Sequence, residues 1–194
     1  MGCILASSLV KMAFYNVVGL AYDMTPSTAH DDFWLYDYPI NPINIPSAMI
    51  FNKPKEKTPE EMMDHIVKNL SLKSRTRVKC VVKFGKYFFK EIPEGTPEYQ
   101  KWRKENMVIL WDVKTDQELL DFFCKIKKLD LKGGSGACQV YYVPDLNKTE
   151  AAIISIGHHV CHDGVTQMQA FHEISDEEGR GPFPFMKRPV PSPF

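Results

Sequence analysis

The chain has 194 residues, enough for one domain and a short appendage. Hydrophobic residues make up 44% and charged residues 25%, a globular balance that excludes wholesale disorder. The 24 basic residues match the 24 acidic ones, so the basic excess of a nucleic-acid binder is missing; neutrality also withdraws one source of solubility, which favours a partner surface or a membrane.

Residues 3–22 read CILASSLVKMAFYNVVGLAY, with one charge at Lys11. The length is close to a membrane span. Helical spacing puts Ser7, Lys11 and Tyr15 on one stripe and leaves the other faces apolar. Lys11 could snorkel only partway. Two readings therefore stand: a helix in or on a membrane, and a helix held by another protein. A cleaved signal fits worse, because no positive charge precedes the apolar run. Met1-Gly2-Cys3 resembles an acylation start, but Ala6 stands where Ser or Thr favours myristoylation. The spacing predicts a continuous helix from about Ile4 to Leu20 that stays out of the sheet core.

The polar stretch DMTPSTAHDD follows. Pro39, Pro42 and Pro46 then break the chain into extended pieces, with Pro39 and Pro42 on a loop or edge. Ile45–Phe51 is the first predicted strand. Thr58-Pro59-Glu60-Glu61 opens a helix to about Leu70, with Thr as N-cap and Glu three residues later. Arg77–Phe84 alternates charged and apolar residues and turns at Gly85-Lys86 into YFFKEI, a hairpin. Pro93–Glu98 reads as a loop and Met107–Val113 as a strand. Thr115 and Glu118 form a second capping box, opening a helix with Leu119, Phe122, Phe123 and Ile126. The run Gly133–Gly136 reads as a loop, since no Gly-Lys-Ser/Thr follows to make a phosphate cradle. CQVYYV and AAIISIGHH are core strands, and Val165–Ile174 is a short helix. Residues 176–194 are a proline-rich extended tail.

This order predicts an α+β fold. One mixed sheet would carry Ile45–Phe51, Arg77–Phe84, Gln139–Val143 and Ala151–Ile156, with the two longer helices on one face. The predicted organisation is an apolar helix over 1–22, a lobe over 23–175 and the tail over 176–194. Cys3, Cys80, Cys124, Cys138 and Cys161 are odd in number and widely spaced, which points to a reducing compartment. The sequons at Asn69 and Asn147 carry little weight without a secretory context.

The densest chemistry lies in Ile156-Gly-His-His-Val-Cys-His-Asp-Gly164. Three readings compete. His158, His159, Cys161 and His162 are competent metal ligands. Neighbours on a strand point to opposite faces, however, and no second cluster completes a site, so no metal is expected. A polar cluster at a strand end can also do no more than satisfy backbone groups. The third reading is acyl transfer. His158-His159-x-x-x-Asp163-Gly164 resembles the HHxxxDG motif of the chloramphenicol-acetyltransferase-like superfamily. An alcohol is a poor nucleophile, so a base must take its proton as it attacks a thioester carbonyl, and a histidine titrating near neutrality suits that task.

The flanking sequence is similar to the N-terminal half of the wax ester synthase/diacylglycerol acyltransferase family. Asp31-Asp32-Phe33-Trp34-Leu35, Asn41-Pro42-Ile43-Asn44-Ile45, Arg75-Thr76-Arg77 and Leu129-Asp130 carry that resemblance, with the proline-rich stretch after the motif. Gly136-Ala137-Cys138 departs from the family's Pro-Leu-Trp. Members of the family are also longer, with a second lobe that forms the other wall of the substrate tunnel.

The resemblance implies one lobe of a chloramphenicol acetyltransferase-like sandwich. It implies acyl-CoA as co-substrate, no permanently bound cofactor, and a long-chain alcohol or diacylglycerol as acceptor. His159 would be the general base, His158 its supporting neighbour, Asp163 the orienting carboxylate and Gly164 the turn residue. Cys161 and His162 would pack around them. The expected partners are a membrane or protein bound through residues 3–22 and a second lobe or subunit to complete the tunnel. The expected location is the cytosolic face of the endoplasmic reticulum or a mitochondrial membrane. A trimer of the chloramphenicol acetyltransferase kind ranks behind this. The alternative from another class is a catalytically idle acyltransferase-like accessory subunit of a larger, membrane-bound complex, for example a mitochondrial one.

Overall fold

The computed structural model describes residues 2–35, 43–71, 75–129, 131, 136–160, 167–168, 171–172 and 174. The elements are α1 (Gly2–Tyr22), β1 (Thr25–Pro26), α2 (Ala29–Leu35), β2 (Asn44–Asn52), α3 (Pro59–Ser71), β3 (Val78–Lys83), β4 (Lys86–Glu91), α4 (Pro97–Asn106), β5 (Met107–Ile109), α5 (Asp116–Ile126), β6 (Cys138–Val143) and β7 (Glu150–His158). The fold is mixed α+β with two sheets.

Strand β7 is the centre of the larger sheet, whose order is β2-β7-β6-β5. It runs antiparallel to both neighbours, while β5 joins β6 in parallel. Every residue of β7 after Glu150 is buried. The sequence AAIISI has no polar alternation, so both sheet faces need a cover. Ala152, Ile154 and Ile156 meet Leu119 and Ile126 of α5 on one side. Ala151 and Ile153 meet Met63, Ile66 and Val67 of α3 and Trp102 of α4 on the other. The two longer helices therefore lie on opposite faces, and the expectation of a single covered face is corrected. Pro46 sits inside β2 without cost because β2 is an edge strand. The ladder bond from His159 N–H to the Ile43 carbonyl sets the alternation, which turns the Pro46 nitrogen away from β7.

Arg77–Phe84 departs from the single sheet expected. Val78–Lys83 does not join the large sheet; it forms a separate sheet of order β1-β4-β3. The hairpin turns through Phe84 (φ 51°) and Gly85 (φ 73°), both left-handed, as a two-residue hairpin turn requires. The reason for the separation is its alternating charge. Lys79, Val81, Lys83, Lys86, Phe88 and Lys90 share one face by register. Four lysines on that face must keep their ammonium groups near water, which a central place in the large sheet, covered on both faces, does not allow. The other face presents Val78, Cys80, Tyr87 and Phe89 to Leu35, Ala137 and Val160.

Helix α1 lies on the lysine-bearing face of this small sheet. Tyr15 meets Phe88 edge-on at 6.2 Å between ring centroids. Val18 and Gly19 are buried. A side chain at Gly19 would put its Cβ 2.6 Å from the Met24 carbonyl oxygen, so glycine lets the chain leaving the helix fold back closely against its last turn. Outward-facing Leu9, Val10, Val17 and Leu20 are exposed, Leu20 to 85%. No helix among the described residues is long and apolar enough to cross a membrane.

Both capping boxes form. Thr58 N–H donates to the Glu61 carboxylate at 2.7 Å and Thr115 N–H to Glu118 at 3.0 Å, with both threonine hydroxyls accepting in return. These bonds hold the Glu61 and Glu118 carboxyls below the usual range, the Glu61–Thr58 backbone bond and the Glu118–Lys114 backbone bond contributing most. Two helices stand where none is predicted, one in the polar stretch after Tyr22 and one that starts at the end of the loop expected over Pro93–Glu98. Helix α2 begins at Thr28, which exchanges hydrogen bonds with Asp31. Helix α4 begins at the Thr96 N-cap with Pro97 in its first turn. The strand expected over Met107–Val113 ends at Ile109. Within Val165–Ile174, residues 167–168, 171–172 and 174 are helical. The expected tail over 176–194 lies outside the described residues.

Candidate active site at the end of strand β7

His158 and His159 close β7, and both ladders that flank the strand continue through them. His158 N–H donates to the Ala137 carbonyl at 2.9 Å, and His159 N–H to the Ile43 carbonyl at 2.9 Å. These bonds extend the β6 and β2 registers by one residue each. The two imidazoles are thus attached to backbone clamped from both sides. Strand alternation sends them to opposite faces: His158 follows Ile156 towards the α5 side, and His159 follows Ser155 and Gly157 towards the α3–α4 side.

His158 is fully buried. Its Nδ1 accepts a hydrogen bond from the Val160 N–H at 3.3 Å. An accepting Nδ1 carries no proton, so the neutral ring holds its proton on Nε2. The side chain thereby ties off the turn that follows β7. His159 is half-buried, and its Nδ1 atom is buried.

Three of the sequence segments singled out around the motif converge here. Ile43 supplies the carbonyl that takes the His159 N–H. Asn44, directly opposite His158, donates from Nδ2 to the Leu129 carbonyl at 2.7 Å. A carbonyl just beyond the C-terminus of α5 gains a partner, and the end of that helix is drawn over the His158 side of the sheet. Leu35, at the end of α2, packs in the same cluster as Val160. In the sequence Asn44 stands out only within the resembling stretch Asn41–Ile45. Its structural work depends on a partner 85 residues away, and the available signal was an amide at the start of an otherwise apolar strand. Asp31, in the same resembling stretch, is occupied as the partner of Thr28 at the start of α2.

Asp163, Gly164, Cys161 and His162 lie outside the described residues. Among the described residues, no group of three or more His, Cys, Asp or Glu side chains gathers as metal ligands would. Cys138, beside Ser155 on the α3–α4 side, is buried, and burial pushes its thiol up to about 12. It is not a reactive thiol at neutral pH. A cleft of about 590 Å³ lies between the end of α1 and strand β4, lined by Gly19, Leu20, Arg77 and Phe89. A second, of about 330 Å³, lies between α3 and α4. Neither is lined by the histidine pair.

No protein-family model and no curated protein matches the chain. Solved structures do match. Against a wax ester synthase/diacylglycerol acyltransferase from Marinobacter aquaeolei VT8 the TM-score is 0.56 at 16% identity, covering 75% of this chain and 35% of that one. Against the starter condensation domain of rhizomide synthetase RzmA the TM-score is 0.59 at 11% identity, covering 78% and 37%. SgcC5 from Streptomyces globisporus gives 0.57 at 12% identity, covering 77% and 35%. The chain spans about a third of the length of the solved proteins it matches. At these identities the likeness defines the fold: one lobe of the chloramphenicol acetyltransferase-like architecture found in wax ester synthases and condensation domains.

Proposed function

We propose that the chain is the histidine-bearing lobe of an acyltransferase that moves an acyl group from a coenzyme A thioester to an alcohol. The observation that carries this reading is the pair His158-His159, fixed by ladder bonds on both flanks at the end of the central strand, in a lobe of this fold. A variant of the RzmA starter condensation domain has been solved in complex with C8-CoA, which supports an acyl-CoA donor.

In this reading His159 is the general base. With Nδ1 buried, Nε2 is the nitrogen offered to the acceptor hydroxyl. It takes the hydroxyl proton as the alcohol oxygen attacks the thioester carbonyl. The tetrahedral adduct then expels the thiolate, which takes that proton back, leaving an ester and free coenzyme A thiol. No covalent acyl-enzyme forms and no bound cofactor is needed. His158 acts through structure, holding the turn at Val160. By the resemblance, Asp163 is the orienting carboxylate and Gly164 the turn residue. A long-chain alcohol or diacylglycerol is the acceptor, and a further lobe or subunit supplies the second tunnel wall.

The test is alcohol-dependent release of thiol from acyl-CoA. His159→Ala should lower turnover by about 10²–10⁴-fold with an unchanged circular dichroism spectrum. Full activity in that variant overturns the assignment. A folded wild-type chain that releases no thiol with any alcohol, alone or with added partner lobes, overturns the enzyme reading and leaves the idle accessory subunit.

A further inference from the structure

Helix α1 is apolar on its outward face as well as on the face it buries. Tyr15 and Val18 lie on the side that meets the small sheet, while Lys11, one turn before Tyr15, is exposed. The outward face carries Leu9, Val10, Val17 and Leu20, exposed by 59%, 69%, 64% and 85%, and no charge. Phe84, at the tip of the β3–β4 hairpin, is 66% exposed and meets Phe14 edge-on at 5.6 Å. It extends the apolar patch beyond the helix. An uncovered surface of this kind marks a contact.

The charge beside it selects the occupant. The chain as a whole is neutral, yet residues 2–22 and 78–91 contain Lys11, Lys79, Lys83, Lys86 and Lys90 against the single acid Glu91. All four hairpin lysines lie on the sheet face that α1 crosses. Lys79 pairs with Glu98 and Lys86 with Asp32, which leaves the face net positive. Lys83 stands over the Tyr22 ring at 3.8 Å from its centroid, at the edge of the helix. Two copies joined through this face would bring both lysine sets together, which opposes a symmetric dimer.

We propose that this face docks on an anionic phospholipid bilayer, with α1 lying in the interface plane. The apolar side of α1 and the Phe84 ring enter the boundary between headgroups and acyl chains, and the flanking lysines reach the lipid phosphates and carboxylates. A helix that sinks about 5–10 Å keeps such lysines at headgroup level. The small sheet lies between α1 and the large sheet, so the end of β7 stands away from the bilayer by the thickness of one sheet layer. This inference stands independently of the acyl-transfer reading.

The test is vesicle flotation of the 194-residue chain. Binding to phosphatidylcholine vesicles containing phosphatidylserine should exceed binding to pure phosphatidylcholine several-fold and should weaken in high salt. Val17→Asp with Leu20→Asp, both exposed in the folded chain, should abolish binding to either vesicle without altering the circular dichroism spectrum. Lys83→Glu and Lys90→Glu should each weaken binding to the anionic vesicles by at least about five-fold, the worth of one lysine at such a surface. His159→Ala should bind as the wild type does, which separates this question from catalysis. Absence of binding to anionic vesicles, or wild-type binding by the double aspartate variant, overturns the proposal. So does a concentration-dependent dimer, seen by light scattering, that the double aspartate variant dissolves: the occupant would then be a second copy of the chain.

Discussion

The hydrogen bond between Val160 N–H and His158 Nδ1 can be isolated by a pair of amide substitutions. Asn places a side-chain oxygen close to where Nδ1 stands; Gln places its amide near the other ring nitrogen. Both bury the same functional group, so their difference reports on the acceptor position. His158 is 0% exposed and Val160 5%, so water cannot replace a lost acceptor. An orphaned buried donor costs about 1–3 kcal/mol. At 3.3 Å the bond is long for its type, which places the effect at the lower end, about 1 kcal/mol. For a chain of this size that corresponds to about 2–4 °C in Tm. The assay is urea unfolding followed by tryptophan fluorescence, where Trp102 is buried in the core. His158→Asn should be less stable than wild type, and His158→Gln should be less stable still by about 1 kcal/mol, through a lower midpoint at unchanged slope. A Gln variant at least as stable as the Asn variant refutes the reasoning and makes Nε2 the anchoring atom.

Gly136→Ala should destabilise the fold by about 1–3 kcal/mol, because the new Cβ would sit 2.5 Å from Trp102 Nε1 and 2.8 Å from its Cδ1; a thermal midpoint equal to wild type would contradict this packing. Stability should also fall in alkali. Burial raises the Cys138 thiol to about 12, and burial raises Tyr142 in the same direction, so the native state keeps protons that the unfolded chain releases. The cysteine contribution is fully present below the unfolded thiol value of about 8.5, and is lost as pH rises from there through about 12, by up to about 1.4 kcal/mol per pH unit. Replacing Cys138 with Ala should flatten the first part of that decline in a Tm-against-pH series, and an unchanged slope would count against it.

The capping signals were the most legible part of the chain. Thr58/Glu61 and Thr115/Glu118 mark helix starts through local bonds, and local bonds depend only on local sequence. The histidine pair was legible as the end of the apolar run AAIISIGHH, although the bonds that hold it come from the distant Ala137 and Ile43. The partition into two sheets was not, because the alternation in RVKCVVKF suits an edge of the large sheet as well as a separate hairpin. The signal for covers on both faces was present in AAIISI, an apolar run without alternation. Helix α4 was hidden by its polarity: of its ten residues only Trp102 and Asn106 are buried, too few to show a helical period. Helix α2 is seven residues long, shorter than the windows in which periodicity can be read. Asn44 escaped notice because its partner carbonyl belongs to a distant segment.

The pairing of β2 with β7 carries a consequence for how the chain acquires its shape. Asn44 lies against His158 and Asn52 against Glu150, so the whole stretch between must be synthesised and looped out before this ladder can close. The β3–β4 hairpin, by contrast, joins Lys83 to Lys86 across its turn and can form within microseconds. Closing a long loop costs entropy before any contact repays it, and such topologies reach the native state slowly. Until β2 and β6 arrive, EAAIISIGH has two open edges and Glu150 as its single carboxylate, the composition of a self-associating strand. The backbone rungs at His158 and His159 are the last of that ladder counted from the Asn52 end. The yield of folded chain therefore depends on how fast β2 captures β7 relative to how fast a second nascent chain does, and dilution or a holdase chaperone acts on that competition.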